Sequence, residues 1–178
     1  NENRKKILII VDMQNDFITG SLANEDAVKI IPGICELMKS EDWDSIFLTR
    51  DTHDENYLNT SEGKKLPIEH CIENTAGWCI HDDILRALRG TDYDFIDKSN
   101  FGYTKWQYDI FYTDKTSEKD ITIVGVCTDC CVVSNALIIK AAMPGANITV
   151  LKDLCAGTTK ENHEAALQTM RMCQIDVK

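Results

Sequence analysis

The sequence has no apolar run approaching the ~20 residues that a membrane-spanning helix needs, so no bilayer partner is expected. It is also short of positive charge: 19 Lys and Arg face 29 Asp and Glu, a formal net charge of −10. That balance argues against a nucleic-acid partner, because counterion release requires Lys/Arg clusters. The two basic runs, Arg4-Lys5-Lys6 and Lys64-Lys65, are too short to be more than solvated surface. No G-x-G-x-x-G and no P-loop follows any strand-like run, so dinucleotide and nucleoside-triphosphate binding lack their phosphate cradle. No signal-peptide pattern opens the chain, which predicts a cytoplasmic protein. On that footing the eight cysteines read as reduced thiols. Cys127-Thr128-Asp129-Cys130 is formally a C-x-x-C, but no second pair completes a zinc site of that kind. As a redox pair it stands in the wrong place, since such pairs follow the first strand of a small domain.

What remains is an ordinary soluble composition over 178 residues, which predicts one domain, 1–178, with a single sizeable core. Lys6 to Val11 is a nearly continuous apolar run and reads as a central strand buried on both faces. A helix is predicted from about Glu25 to Lys39, interrupted at Pro32-Gly33, with Ile30, Ile31, Ile34 and Leu37 inward. Asp44 to Arg50 reads as a second strand. Residues 54–80 read as a long polar loop, and loops of that length are usually functional or disordered. A helix over about Asp82–Leu88 precedes a short strand, Tyr93–Ile96. Trp106–Tyr112 reads as an amphipathic helix and Thr113–Asp120 as a polar connector. The run Ile121-Thr122-Ile123-Val124 is another buried strand, and Asn147–Leu151 a fifth. A final helix, Thr159–Cys173, offers Ala165, Leu167, Met170 and Met172 for packing, and Gln174–Val177 suits an edge strand. Strands alternating with helices predict a Rossmann-like α/β sandwich of three layers, a mostly parallel sheet with helices on both faces.

In such sheets ligands bind beyond the carboxyl ends of the strands. That rule gathers Asp12, Asp51, His53, Lys98 and Cys131 at one edge. Asp51-x-His53 points a carboxylate and an imidazole to one side of an extended chain, a partial metal site. Cys131 falls at a strand-to-helix turn in G-V-C-T-D-C-C-V-V, 125–133. There a helix N-terminus predicts a lowered thiol pKa and a nucleophilic thiolate. His81 and His163 read as helix-surface or capping residues.

With these residues in view, the sequence resembles the isochorismatase-like superfamily of cysteine hydrolases, and within it the nicotinamidase branch. The resemblance runs along essentially the whole chain. It is carried by V-D-M-Q-N-D-F at 11–17, T-R-D-T-H at 49–53, L-P-I-E-H-C at 66–71, D-K-S-N-F-G at 97–102 and G-V-C-T-D-C-C-V at 125–132. It implies a catalytic triad of Asp12, Lys98 and Cys131, with Cys130 only a neighbour. It implies metal ligands Asp51, His53 and His70, with Glu62 the best-placed candidate for a fourth. A cis peptide between Val126 and Cys127 is also implied, aiming the N–H groups of Cys127 and Cys131 at a developing oxyanion.

The activity implied is hydrolysis of nicotinamide or a similar small amide to the acid and ammonia through a thioester. The metal would bind the ring nitrogen or an ordered water, and Phe17 would stack on the ring. Two imidazoles with carboxylates suit zinc, iron and manganese alike, zinc being the first expectation. Family members commonly assemble, which implies a homo-oligomer. The sequence departs from the nicotinamidase pattern at Asp54, where a proline is usual, at Leu66, where an aromatic is usual, and at Ile72–Thr75. These changes leave the triad intact and bear on ring recognition and the metal. The runner-up is a metal-independent isochorismatase-like hydrolase acting on a carbamoyl compound or enol ether. A non-catalytic scaffold and a thiol redox protein using Cys127 and Cys130 complete the alternatives.

Overall fold

The computed structural model describes residues 4–113 and 118–178. Within them a six-stranded, wholly parallel sheet runs in the order β3-β2-β1-β4-β5-β6. The strands are β1 (Lys5–Val11), β2 (Ser45–Asp51), β3 (Asp94–Lys98), β4 (Lys119–Val126), β5 (Asn147–Ala156) and β6 (Asp176–Val177). The helices are α1 (Asn15–Ile18), α2 (Glu25–Ser40), α3 (Ser61–Lys65), α4 (Asp82–Ala87), α5 (Trp106–Thr113), α6 (Val133–Ala142) and α7 (Lys160–Met172). No helix among the described residues is long and apolar enough to cross a membrane.

β1 is the centre of the molecule because its sequence is apolar on both faces. Ile7 through Val11 are all fully buried, each such side chain contributing about 1.5–3 kcal/mol. Ile7, Ile9 and Val11 pack with Ile121, Ile123, Trp106, Ala136, Ile139, Leu167 and Met170, under α5, α6 and α7. Leu8 and Ile10 pack on the opposite face with Leu48, Val124, Ile31, Ile34 and Ile84, under α1, α2 and α4. The three layers expected from the alternation of strands and helices are present.

After β1 the chain builds outward through β2 and β3, then returns to the other side of β1 with β4, β5 and β6. The direction of winding therefore reverses between β1 and β4, and a crevice opens beyond their carboxyl ends. Gly125 lets the two strands approach there. Its φ is +120°, and a Cβ would collide with the Val11 backbone. The register between β4 and β5 shifts at the same place.

Several boundaries differ from those read in the sequence. α2 is continuous through Pro32, because Ile30, Ile31, Ile34 and Met38 bury one face while Pro32 faces solvent; packing outweighs the local cost of proline. β2 and β3 run on to Asp51 and Lys98, and β5 extends to Ala156. In α7 the inward stripe is Ala166, Leu167 and Met170, whereas Ala165 and Met172 lie off it and are exposed. Residues 54–80 are not structureless: a 3₁₀ turn at Tyr57–Asn59 leads into α3, which Thr60 caps by accepting the Gly63 N–H. Polar composition hid that helix, since it has no apolar stripe to betray its period. Of the connector predicted over Thr113–Asp120, residues 114–117 lie outside the described residues and Lys119 already belongs to β4.

Candidate functional site

Asp12 directly follows β1 in a left-handed conformation, φ +50°, which aspartate tolerates better than most residues. That conformation turns its carboxylate into the crevice. Its backbone N–H donates to the Thr49 hydroxyl at 3.0 Å, and that hydroxyl donates to Asp12 Oδ1 at 2.6 Å. Lys98, the last residue of β3, reaches over with its Nζ 2.7 Å from Asp12 Oδ2 and 3.4 Å from Cys131 Sγ. A third bond from Nζ ends on the Asn100 carbonyl at 3.1 Å. All three side chains are buried.

Cys131 sits in a π-helical turn, Thr128–Val132, that joins β4 to α6. The Val126–Cys127 peptide before it is cis. Three contacts hold the turn. The Asp129 carboxylate accepts from the Thr158 N–H and hydroxyl at 2.8 and 2.5 Å. Thr128 Oγ1 lies 2.7 Å from His163 Nδ1, and Asn135 donates to the Cys131 carbonyl at 2.8 Å. His81, by contrast, caps α4, as read from the sequence. Cys127 and Cys130 are free thiols, and the Cys130 N–H donates to the Cys127 carbonyl at 3.0 Å.

The expected low pKa at Cys131 is not found. Burial, with the Asp12 carboxylate beside it, holds the thiol well above the ordinary thiol range, and the Lys98 ammonium only partly opposes this. Local helix geometry pointed the other way because it takes no account of desolvation, which dominates for a group with so little solvent around it. Asp12 is likewise raised, first by burial and against the pull of Lys98. Lys98 is raised despite burial, because the Asp12 and Asp51 carboxylates beside it favour its charged form. The resting arrangement is a neutral thiol beside a carboxylate–ammonium pair, with a base of enhanced proton affinity in contact with the thiol.

Next to this trio, Asp51, His53, Glu62 and His70 bring one ligand atom each to within 4.8 Å of one another. Asp51 Oδ2 lies 2.9 Å from His53 Nε2 and 3.3 Å from His70 Nε2, and Glu62 Oε2 lies 3.7 Å from His53 Nε2. His70 Nδ1 is 2.8 Å from the Ile68 carbonyl, so in the neutral ring that nitrogen carries the proton and Nε2 turns a lone pair toward Asp51. Two acceptors then face each other, an arrangement completed by a proton or a cation between them. With a proton between them the ring donates to Asp51, and such donation from the two imidazoles, with Lys98, holds the Asp51 carboxyl well below the ordinary carboxylate range against the opposing effect of burial. Burial and Asp51 push Glu62 up. Two imidazoles and two carboxylates form a donor set that suits a divalent transition metal. Lys98 Nζ, 3.8 Å from Asp51 Oδ1, joins the two groups of residues.

Phe17 is buried, its ring 5.6 Å from that of His70. A cavity of about 630 Å³, lined by residues 20–25 with Cys127 and Thr158, adjoins the turn that carries Cys131. Sequence reasoning missed Thr49, Gln14, Asn135 and Tyr57. Tyr57 is fully buried, its ring 4.7 Å from His53 and 5.0 Å from His70, with its hydroxyl on the Leu66 carbonyl. Gln14 and Thr49 lay within motifs already singled out, at 11–17 and 49–53, which were the available signals.

The Isochorismatase domain matches residues 6–177. The chain belongs to the isochorismatase family. A nicotinamidase of Schizosaccharomyces pombe is 28% identical over 96% of this chain and 91% of its own length. A nicotinamidase of Saccharomyces cerevisiae is 31% identical over 83% of this chain and 86% of its own. Among solved structures, the pyrazinamidase of Pyrococcus horikoshii in complex with zinc is similar at 26% identity and a TM-score of 0.77, covering 98% of both chains. The relatives thus lie on the nicotinamidase/pyrazinamidase branch of this family.

Proposed function

We propose that the protein is a metal-dependent amidase that hydrolyses nicotinamide or a similar small aromatic amide to the acid and ammonia. The observation that carries this reading is Lys98 Nζ bridging Asp12 and Cys131 at 2.7 and 3.4 Å, beside a four-donor cluster. The similarity to nicotinamidases and to a pyrazinamidase holding zinc supports the substrate class and the metal.

The Cys131 thiol transfers its proton to Asp12 as Sγ attacks the amide carbonyl. Because burial opposes a free thiolate, proton transfer and attack proceed together, and the raised proton affinity of Asp12 favours that transfer. The N–H groups of Cys127 and Cys131 receive the oxyanion of the tetrahedral intermediate. Asp12 then returns the proton to the amide nitrogen, ammonia leaves and a thioester remains. Water enters, gives a proton to Asp12 and attacks the thioester; collapse releases the acid, and the proton goes back to Sγ. Lys98 keeps Asp12 ionised between these transfers and balances charge on sulfur. Phe17 packs against the substrate ring. A divalent cation, zinc first, fits Asp51, His53, Glu62 and His70 and supplies a Lewis acid at that end of the site.

The test is ammonia release from nicotinamide with and without a chelator, using Cys131→Ala as the blank. Release that the chelator suppresses and the variant lacks is the expected result. Release by Cys131→Ala at the wild-type rate would sink the assignment.

A further inference from the structure

The turn after β1 does more than deliver Asp12. We propose that Gln14 and Asp16, two residues apart on that turn, are positioning residues that hold the metal-ligand set in shape; this rests on the metal-dependent reading above. Neither side chain is among the four proposed ligands. Each grips backbone from which a ligand projects.

Gln14 is fully buried, and all its amide bonds end on backbone. Its Nε2 donates to the Asp51 carbonyl at 2.8 Å and to the Trp78 carbonyl at 2.9 Å. Its Oε1 accepts the Asp51 N–H at 2.8 Å. The peptide groups on both sides of the Asp51 Cα are therefore fixed by one side chain, and with them the direction in which that carboxylate leaves β2. Asp16 does the corresponding work on the other loop. Its Oδ2 accepts the Cys71 N–H at 2.8 Å, immediately after His70. Cys71 has φ +49°, an uncommon conformation for a non-glycine residue and one that needs local support. Its carbonyl accepts the His53 N–H at 3.0 Å, so the grip on Cys71 reaches both histidines. Gly77 leaves the space the Asp16 carboxylate occupies, since a Cβ there would collide with it. Three of the four ligands are thus set from one five-residue turn whose first residue is Asp12. Glu62, on α3, is outside this scaffold. Outer groups of this kind are worth about 10–100-fold in metal affinity.

The experiment is a zinc titration of chelator-stripped protein in competition with a chromophoric chelator, with circular dichroism confirming the fold of each variant. Gln14→Met keeps the shape and deletes all three bonds, and is expected to raise the zinc Kd about 10–100-fold. Asp16→Ala is expected to move it in the same direction. Asn15→Ala is the control for general loosening, because among the described residues the Asn15 side chain bonds only to the Ala76 carbonyl; its zinc affinity should match wild type. If Gln14→Met does not fold, Gln14→Glu carries the test, since it can accept the Asp51 N–H but donates neither bond. A folded Gln14 variant within about two-fold of the wild-type Kd, where the cited effect is 10–100-fold, overturns the inference. So does an equal loss in Asn15→Ala. Wild-type protein that takes up no zinc is a different outcome, and removes the metal reading itself.

Discussion

Asp12 is where opposing forces are set against each other on one side chain. Burial raises its pKa, while Lys98 and the Thr49 hydroxyl lower it. A base must be ionised to take a proton, so a raised pKa places the acid limb of kcat/KM above the ordinary aspartate value of about 4. Thr49→Val deletes one of the lowering contacts, and the limb should move to still higher pH. A hydrogen bond to a charged group is worth about 1.5–3 kcal/mol, so the limb should move by roughly one to two pH units. A pH–rate profile of Thr49→Val that overlays wild type would show that this hydroxyl does not tune the base. At this scale the charged members of the site and its thiol were legible, because Asp12, Asp51, Lys98 and Cys131 each stand where an apolar run gives out. Thr49, Gln14 and Asn135 were not. Their work is done on backbone groups or on partners distant in sequence, so although Gln14 and Thr49 fall within quoted motifs, nothing in their spacing shows what they hold. The proton on Cys131 was misread for a related reason: a helix terminus can be seen in sequence, but the depth of burial cannot.

Among the elements, α2 shows packing overruling local preference. Proline within a helix costs about 3 kcal/mol, yet the helix continues because its inner face covers the sheet. Gly33 beside it brings the helix close to Leu154 of β5. Pro32 faces solvent, so Pro32→Ala removes the backbone penalty without opening a cavity. The unfolded chain gains freedom worth about 1 kcal/mol when proline is lost, leaving a net stabilisation of about 2 kcal/mol. Chemical denaturation should show a higher midpoint at unchanged m-value, with the proposed amidase activity unaffected. A lower midpoint would mean that Pro32 sits in a distortion the helix needs. The β1 and β4 patterns and the span of α7 were readable because apolar periodicity is a long-range average over many residues, though it left two of the four α7 core positions misplaced. The short α3 was not, since it rests on one cap rather than on a buried stripe.

For the whole molecule, the decisive feature is the reversal of winding at β1. Strand order places Asp12 and Cys131 on adjacent strands' ends, and brings Asp51 and Lys98 in from β2 and β3. The loops carrying the proposed ligands, the proposed base and the proposed nucleophile therefore converge only when the sheet is complete, and an unfolded chain holds none of them together. A cation that binds this convergence must stabilise the fold by mass action. At free zinc about 100 times Kd the contribution is about 2.7 kcal/mol, which for a chain of this size raises Tm by roughly 5–10 °C. Chelation should reverse the rise, and His70→Ala should abolish most of it. The variant is the necessary comparison, because eight free cysteines give zinc other places to bind. Equal shifts in wild type and His70→Ala would put the cation on those thiols and sink the four-ligand set.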